Sequence, residues 1–441
     1  MNVLNRNINN IFFIFALSHL IIWTLVPSIT NKNLPLDVIE ALAWGSNLDW
    51  GSVKHPPGSA FFPEVFFQIF GAQDWAYYLL SQIFVVVAFY FVFKFAFEIL
   101  RNFQLSLISV LLLEAIFFYN FTTPEFNVNV CQLPFWSLVV YYSWKIYDNK
   151  NIKFFDCFLI GLFGAVGFLS KYLFIYLLAS ITLLFIYLIF VKRTKKFDFK
   201  YLITIEVFIV LLVPHLLWLF NNDFITITYG LKRTGLESSG ILDHLKYPFI
   251  FLIKQLGILM PFFMLIYLLV KRIKFKLNLR DKKLIFLLFV NILPIVLILL
   301  TSFITGSKIR TMWMTPFYLF FGVLFIYIFQ SQINTKKINS FLYGFLFLFF
   351  LSPILYSYES LSKTGKRTDY PGKEIAAKVQ IAWQQDFDEE IAFVIGNEWK
   401  AGNLSYHLKS RPTWEGFIND EIFSIANEYL CIDDVCVGTY K

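Results

Sequence analysis

IFFIFALSHLIIWTLVPSI, residues 11–29, is an apolar run of about the 20 residues needed to cross some 30 Å of hydrocarbon as a helix. It follows Arg6, is too long for a cleaved signal core, and has no small-x-small cleavage site after it, so it predicts an uncleaved first span. Further apolar runs lie near 77–99, 105–121, 131–147, 157–173, 174–191, 201–220, 248–270, 284–303, 311–330 and 340–357. The pair around Lys171 also reads as one broken element. The expectation is a polytopic α-helical membrane protein with about eleven transmembrane helices.

Composition agrees. Of 441 residues, 58% are hydrophobic and only 15% charged, with a mean hydropathy of +0.62, which excludes an ordinary soluble enzyme. The 20% aromatic content suits lipid-facing helices and interfacial belts. The net charge of +8 gathers in short loops between apolar runs, the pattern of membrane orientation and not of nucleic-acid binding.

Alternate loops are rich in Lys and Arg: Arg101; Lys145, Lys150 and Lys153; Lys192 to Lys200; Lys271 to Lys283; Lys336 and Lys337. The positive-inside rule makes these cytoplasmic. The 30–76 loop, with Asp37, Glu40, Asp49, Glu64 and Asp74, then faces outside, as do 122–130, 221–247 and Ser307 to Arg310. An odd number of spans places the carboxyl terminus outside too. The chain divides into a membrane domain at 1–357, including the first external loop, and a small periplasmic α/β domain at 358–441. In the latter, Ile375, Val379 and Ala382 have helical spacing and Ile391 to Ile395 reads as a buried strand. It is too small for a large independent enzyme and reads first as a lid or acceptor-docking module.

Cys431 and Cys436 flank Asp433-Asp434, which reads as a hairpin turn. The register sets the two cysteines opposite one another, within disulfide reach in an oxidising compartment. Cys131 and Cys157 are left over. No cysteine or histidine cluster calls for a structural metal, and the sequence leaves a divalent ion neither required nor excluded.

The chemistry concentrates in the first external loop. Asp37 and Glu40 are three apart on one helix face, with Pro35 suited to start that helix, and Lys54-His55-Pro56-Pro57 follows. The bland alternative is a solvated loop anchored by Trp44 and Trp50. An acidic pair followed by K-[HP]-P-P resembles the bacterial polyprenyl-phosphate-sugar transferases of the GT-C type, the superfamily of protein O-mannosyltransferases and the lipid A aminoarabinose transferase. Gly161 to Tyr172, ending in Ser170-Lys171-Tyr172, resembles that family's glycine-rich span. Pro214 to Trp218, Asn222-Asp223-Phe224 and Tyr229 to Arg233 resemble its next segments, and Ser307-Lys308 with Trp313 and Pro316 resembles another. Tyr370 to Glu374, Trp399 to Asn403 and Arg411-Pro412 resemble its tail, so the likeness covers nearly the whole chain. The second external loop departs from the pattern: it keeps Glu125 but has Asn127 and Asn129 where relatives often carry another acid.

The resemblance implies transfer of one sugar from an undecaprenyl-phosphate carrier to an outer-leaflet acceptor, with inversion. Such a reaction needs a base for the acceptor hydroxyl and cations for the departing phosphate. Asp37 is the expected base, and Glu40 orients it or a sugar hydroxyl. Lys54 is the first candidate for the phosphate, with His55, Lys308, Arg310, Lys232 and Arg233 behind it; Glu125, Lys171 and Asp223 are supporting candidates. His55 reads equally as a turn residue and Lys171 as a snorkelling lysine. The acceptor is a lipid such as lipid A or another cell-envelope glycolipid, alternatively a protein or cell-wall glycan. A lipid or solute transporter is the rival from another class, disfavoured because the acids cluster in external loops and the Asp37 to Pro57 segment does not repeat. Membrane lipids are expected partners and nucleic acid is not; oligomeric state stays open.

Overall fold

The structure, a computed structural model, describes residues 3–149, 151–235, 240–275, 277–418 and 426–441. Lys150 and Lys276, in two of the basic loops, lie outside them. Among the described residues, seven helices are long and apolar enough to cross a membrane: Ile8–Thr30, Asp74–Leu100, Tyr172–Val191, Lys200–Asn221, Asp243–Leu269, Lys282–Thr305 and Ile338–Ser362. An eighth span results if Thr311–Tyr318 and Phe321–Gln332, which meet at a 55° bend, count as one.

By length and composition, seven or eight of the expected eleven spans are found. The runs at 105–121, 131–147 and 157–173 fold as Phe103–Leu111 with a following 3-10 turn, Leu133–Asp148 and Phe154–Ser170. The last two have 16 and 17 residues, about 24–26 Å, and are shorter than the seven helices above. Hydropathy registers apolar content, and it does not see a turn that divides a run. In the first of these runs the helix gives way at Leu112–Ala115, where Glu114 is held by His19 of the first span at 2.6 Å, both side chains buried. In the third, Lys171 is extended (φ −165°, ψ 132°) and separates two helices, the broken element anticipated there.

Two short helices, Leu36–Gly45 and Gly58–Phe70, fill the 30–76 loop, named the first external loop for its expected side. Pro35 sits at the N-cap of the former in extended geometry, so the proline supplies the chain direction from which the helix begins. The final long helix continues to Ser362, past the boundary read at 357. Beyond it come the helix Gly372–Asp386, β1 (Phe393–Gly396), the helix Glu398–His407, β2 (Thr413–Trp414), β3 (Ala426–Ile432) and β4 (Val435–Tyr440). The sheet order is β2-β1-β4-β3, with β1 and β2 parallel and the other pairs antiparallel. In the β3–β4 hairpin Ile432 faces Val435, and Cys431 is disulfide-bonded to Cys436 with Cα atoms 4.0 Å apart.

The appendage does not stand alone. Its core residues Val379, Trp383, Val394, Leu404 and Trp414 form one apolar cluster with Ala41, Ala43, Trp44 and Ala60 of the first external loop. Gly402 makes this packing close: a Cβ there would lie 3.0 Å from the Ile39 side chain and 3.1 Å from Ala43. Polar contacts fasten the same seam. Asn33 donates to Asn403 at 2.9 Å and meets His407 at 3.0 Å, while Arg411 donates to Glu64 at 2.6 Å and to the Leu42 carbonyl at 2.7 Å.

Candidate active site

Asp37 lies in the first turn of Leu36–Gly45. Its backbone N–H donates to Oε1 of Glu125 at 3.0 Å, so the second external loop satisfies one of the free donors at this helix start. The Asp37 carboxylate itself makes no hydrogen bond or ion pair among the described residues. Burial raises its pKa, against the opposing pull of Lys171, Lys54 and Arg233. Glu125 is pushed up to about 8 by burial first and by the neighbouring Asp37 second. Both acids are thus held above the ordinary carboxylate range, each chiefly by burial.

Glu40 does not reach toward Asp37. It accepts from Lys54 at 2.9 Å, and Lys54 also pairs with Glu398 at 3.2 Å. Burial alone would lower the Lys54 pKa; the hydrogen bond and charge of Glu40, and then Glu398, hold it above the ordinary lysine value. His55 packs edge-on against Trp44 at 5.8 Å, and its backbone N–H and C=O close a tight turn with Ser52. Burial first, and then the charges of Lys171, Arg233 and Lys54, lower the His55 pKa to about 3.

The motifs carried by separate segments converge here. Lys171 is buried, donates to Oδ1 of Asn129 at 2.5 Å and lies 5.2 Å from the Trp313 ring. One lysine thus joins the helix break, the second external loop and the Thr311–Tyr318 turn. Asn127 caps the short helix Val128–Cys131 by accepting from the Asn129 and Val130 N–H groups, so the asparagines of this loop have structural partners. His215 donates from Nδ1 to the Trp50 carbonyl (2.5 Å), and its Nε2 meets the Tyr172 hydroxyl (2.7 Å). Trp218 covers Gly51 so closely that a Cβ would fall 2.3 Å from its ring, which only glycine permits. The Pro214 to Trp218 segment therefore clamps the first external loop from the membrane side.

Of the remaining candidates, Arg233 is exposed, stacks on Tyr229 and bonds its hydroxyl, and still acts on Asp37 through its charge. Arg310 is half-buried, and Lys308 is tied by its backbone N–H to the Thr234 carbonyl at 2.9 Å. Lys232, Lys308 and Asp223 have exposed side chains, and Asp223 occupies a left-handed turn with Phe224. No group of three or more metal-ligating side chains occurs among the described residues. The residue that sequence reasoning missed is Glu398, which stands immediately before the Trp399 to Asn403 segment already singled out.

A cavity of about 390 Å³ opens beside this centre, lined by Glu125, Asn127, Asn129, Thr315, Lys366 and Arg367 among others. Arg367 stacks on Trp399 at its rim. The lining reaches Pro35 and Leu36, next to Asp37, and does not include Lys54, Lys171 or Arg233.

Residues 54–218 match the family model for dolichyl-phosphate-mannose-protein mannosyltransferases. Two solved structures share the fold: ArnT from Cupriavidus metallidurans bound to undecaprenyl phosphate (TM-score 0.65, 13% identity, 94% of this chain and 86% of that one) and the same protein in the apo state (0.60, 12%, 93% and 85%). No curated protein sequence matches.

Proposed function

We propose that this chain, which has the polytopic fold of GT-C glycosyltransferases and resembles ArnT and the mannosyltransferases in that respect, moves one sugar from undecaprenyl-phosphate-sugar to an outer-leaflet acceptor. The observation that carries the reading is the Asp37 carboxylate, unpartnered, fixed at a helix start by Glu125 and faced by Lys171, Lys54 and Arg233. Asp37 accepts the proton of the acceptor hydroxyl as that oxygen attacks the anomeric carbon on the face opposite the phosphate. The bond from the anomeric carbon to the phosphate oxygen breaks, and the configuration inverts. Its raised pKa brings Asp37 nearer the working pH, which is what a general base requires. The electron pair leaves on the phosphate, where Lys171, Arg233, Lys54 and Arg310 offset the charge.

The chamber lined by Asn127, Asn129, Lys366 and Arg367 supports an acceptor with a polar, anionic headgroup, such as lipid A or another cell-envelope glycolipid. The distribution of Lys and Arg supports an inner-membrane protein whose site and carboxyl-terminal domain face the periplasm. The test is Asp37→Asn in the purified protein with undecaprenyl-phosphate-linked sugars, alongside mass spectrometry of lipid A and surface glycans from cells with and without the gene. Loss of a general base costs about 10²–10⁴-fold, with folding and membrane insertion unchanged. Near wild-type turnover in the variant defeats the mechanism.

A further inference from the structure

Lys54 stands between two carboxylates that come from distant parts of the chain. Glu40 belongs to the first external loop, and Glu398 is the first residue of the helix Glu398–His407. Glu398 is 5% exposed, and its Oε1, 3.2 Å from the lysine nitrogen, has no hydrogen-bond partner among the described residues. The contact is thus an ion pair without ideal hydrogen-bond alignment, and Lys54 is the counter-charge this buried carboxylate has. A buried carboxylate lacking one would be strongly disfavoured.

The position of Glu398 is fixed from several directions. β1 ends at Gly396, Asn397 caps the next helix by accepting the Lys400 N–H at 2.9 Å, and Gly402 and Asn403 lock that helix onto the first-loop elements. An ammonium has three N–H donors. One is directed at Glu40, and the Glu398 charge attracts the ammonium from a second side, so that a flexible lysine held between the two has a remaining donor aimed in a restricted direction.

We propose that Glu398 is a positioning residue: with Glu40 it holds Lys54 so that the remaining donor meets the carrier phosphate beside Asp37, and the carboxyl-terminal domain thereby completes the donor site. This rests on the glycosyltransferase reading above and replaces the lid or docking role expected for the domain. A merely structural Glu398 would fasten the domain, but Asn33–Asn403 and Arg411–Glu64 already do so.

The experiment uses the full chain in lipid nanodiscs, with undecaprenyl phosphate as the probe. Glu398→Ala should weaken binding about tenfold, and Glu398→Gln, which keeps an acceptor oxygen, should recover part of it. In a Lys54→Ala background, removal of Glu398 should cost nothing further, because its effect passes through Lys54. Reductive methylation of Lys54, read by mass spectrometry at fixed pH, should rise several-fold in Glu398→Ala, since the neutral amine becomes more populated. Should the alanine variant not fold, Glu398→Gln serves both measurements. Wild-type binding in the Glu398 variants, or additive losses in the double variant, overturns the inference alone. Unchanged binding in Lys54→Ala overturns it together with the assignment of Lys54 to the phosphate.

Discussion

Replacing Glu125 by glutamine should make the protein more stable at high pH and leave it unchanged in acid. The amide oxygen still accepts the Asp37 N–H now held at 3.0 Å, but it cannot ionise. In the folded chain Glu125 titrates at about 8, against an ordinary 4.5. Between those values the folded state keeps a proton that the unfolded state has lost, so stability falls as pH rises through the window. Below 4.5 both states are protonated and the difference vanishes; above 8 it is complete. At about 1.4 kcal/mol per unit, the full penalty is on the order of 5 kcal/mol, of which roughly 1 is present at pH 5.5. Thermal unfolding of wild type and Glu125→Gln, purified in the same detergent and compared at pH 5.5, 7 and 8.5, should show a gap that widens steadily in favour of glutamine. A gap of constant size, or one that narrows toward pH 8.5, would refute the raised pKa of Glu125.

Gly51→Ala places a methyl against the Trp218 ring and should destabilise by about 1–3 kcal/mol, an effect that Trp218→Leu relieves; denaturation of both variants checks it. Arg411→Ala leaves Glu64 buried without its partner and should cost about 3–5 kcal/mol, measurable as a lower melting temperature. Thiol labelling of the denatured, unreduced protein should modify Cys131 and Cys157 and spare Cys431 and Cys436. A periplasm-dependent reporter fused after Tyr440 should be active and one fused near Lys196 silent; the reverse pattern would put Asp37 on the wrong side for the proposed donor.

What could be read in advance depended on whether a signal is local. Pro35 followed by acids three apart defined the helix that carries Asp37, and the cysteines flanking two aspartates defined a hairpin whose register is set by neighbours alone. The break at Lys171 was also visible, because a charged residue interrupts an apolar stretch. The lengths of the helices were not, since Phe103–Leu111 and Leu133–Asp148 are shortened by turns within uniformly apolar sequence. The partners of Lys54 escaped for a different reason. Glu40 precedes it by a loop and a turn, and Glu398 comes from the other end of the chain. A single glutamate before a tryptophan has no periodicity to mark it, and its meaning appears only when two helices pack through Gly402.

The shared seam between the first external loop and the helix Glu398–His407 also governs when the molecule can mature. The loop leaves the ribosome more than 300 residues before its packing partner. During synthesis Ala41, Ala43 and Trp44 therefore wait with an uncovered apolar face, and Glu64 waits for Arg411. β1 pairs on one side with β4, so the sheet behind that helix closes only after β4 has been delivered. A chain lacking β4 would leave β1 with one paired edge and the helix packed on the first loop without its complete sheet, so loss of a strand far away in sequence should loosen the surroundings of Asp37.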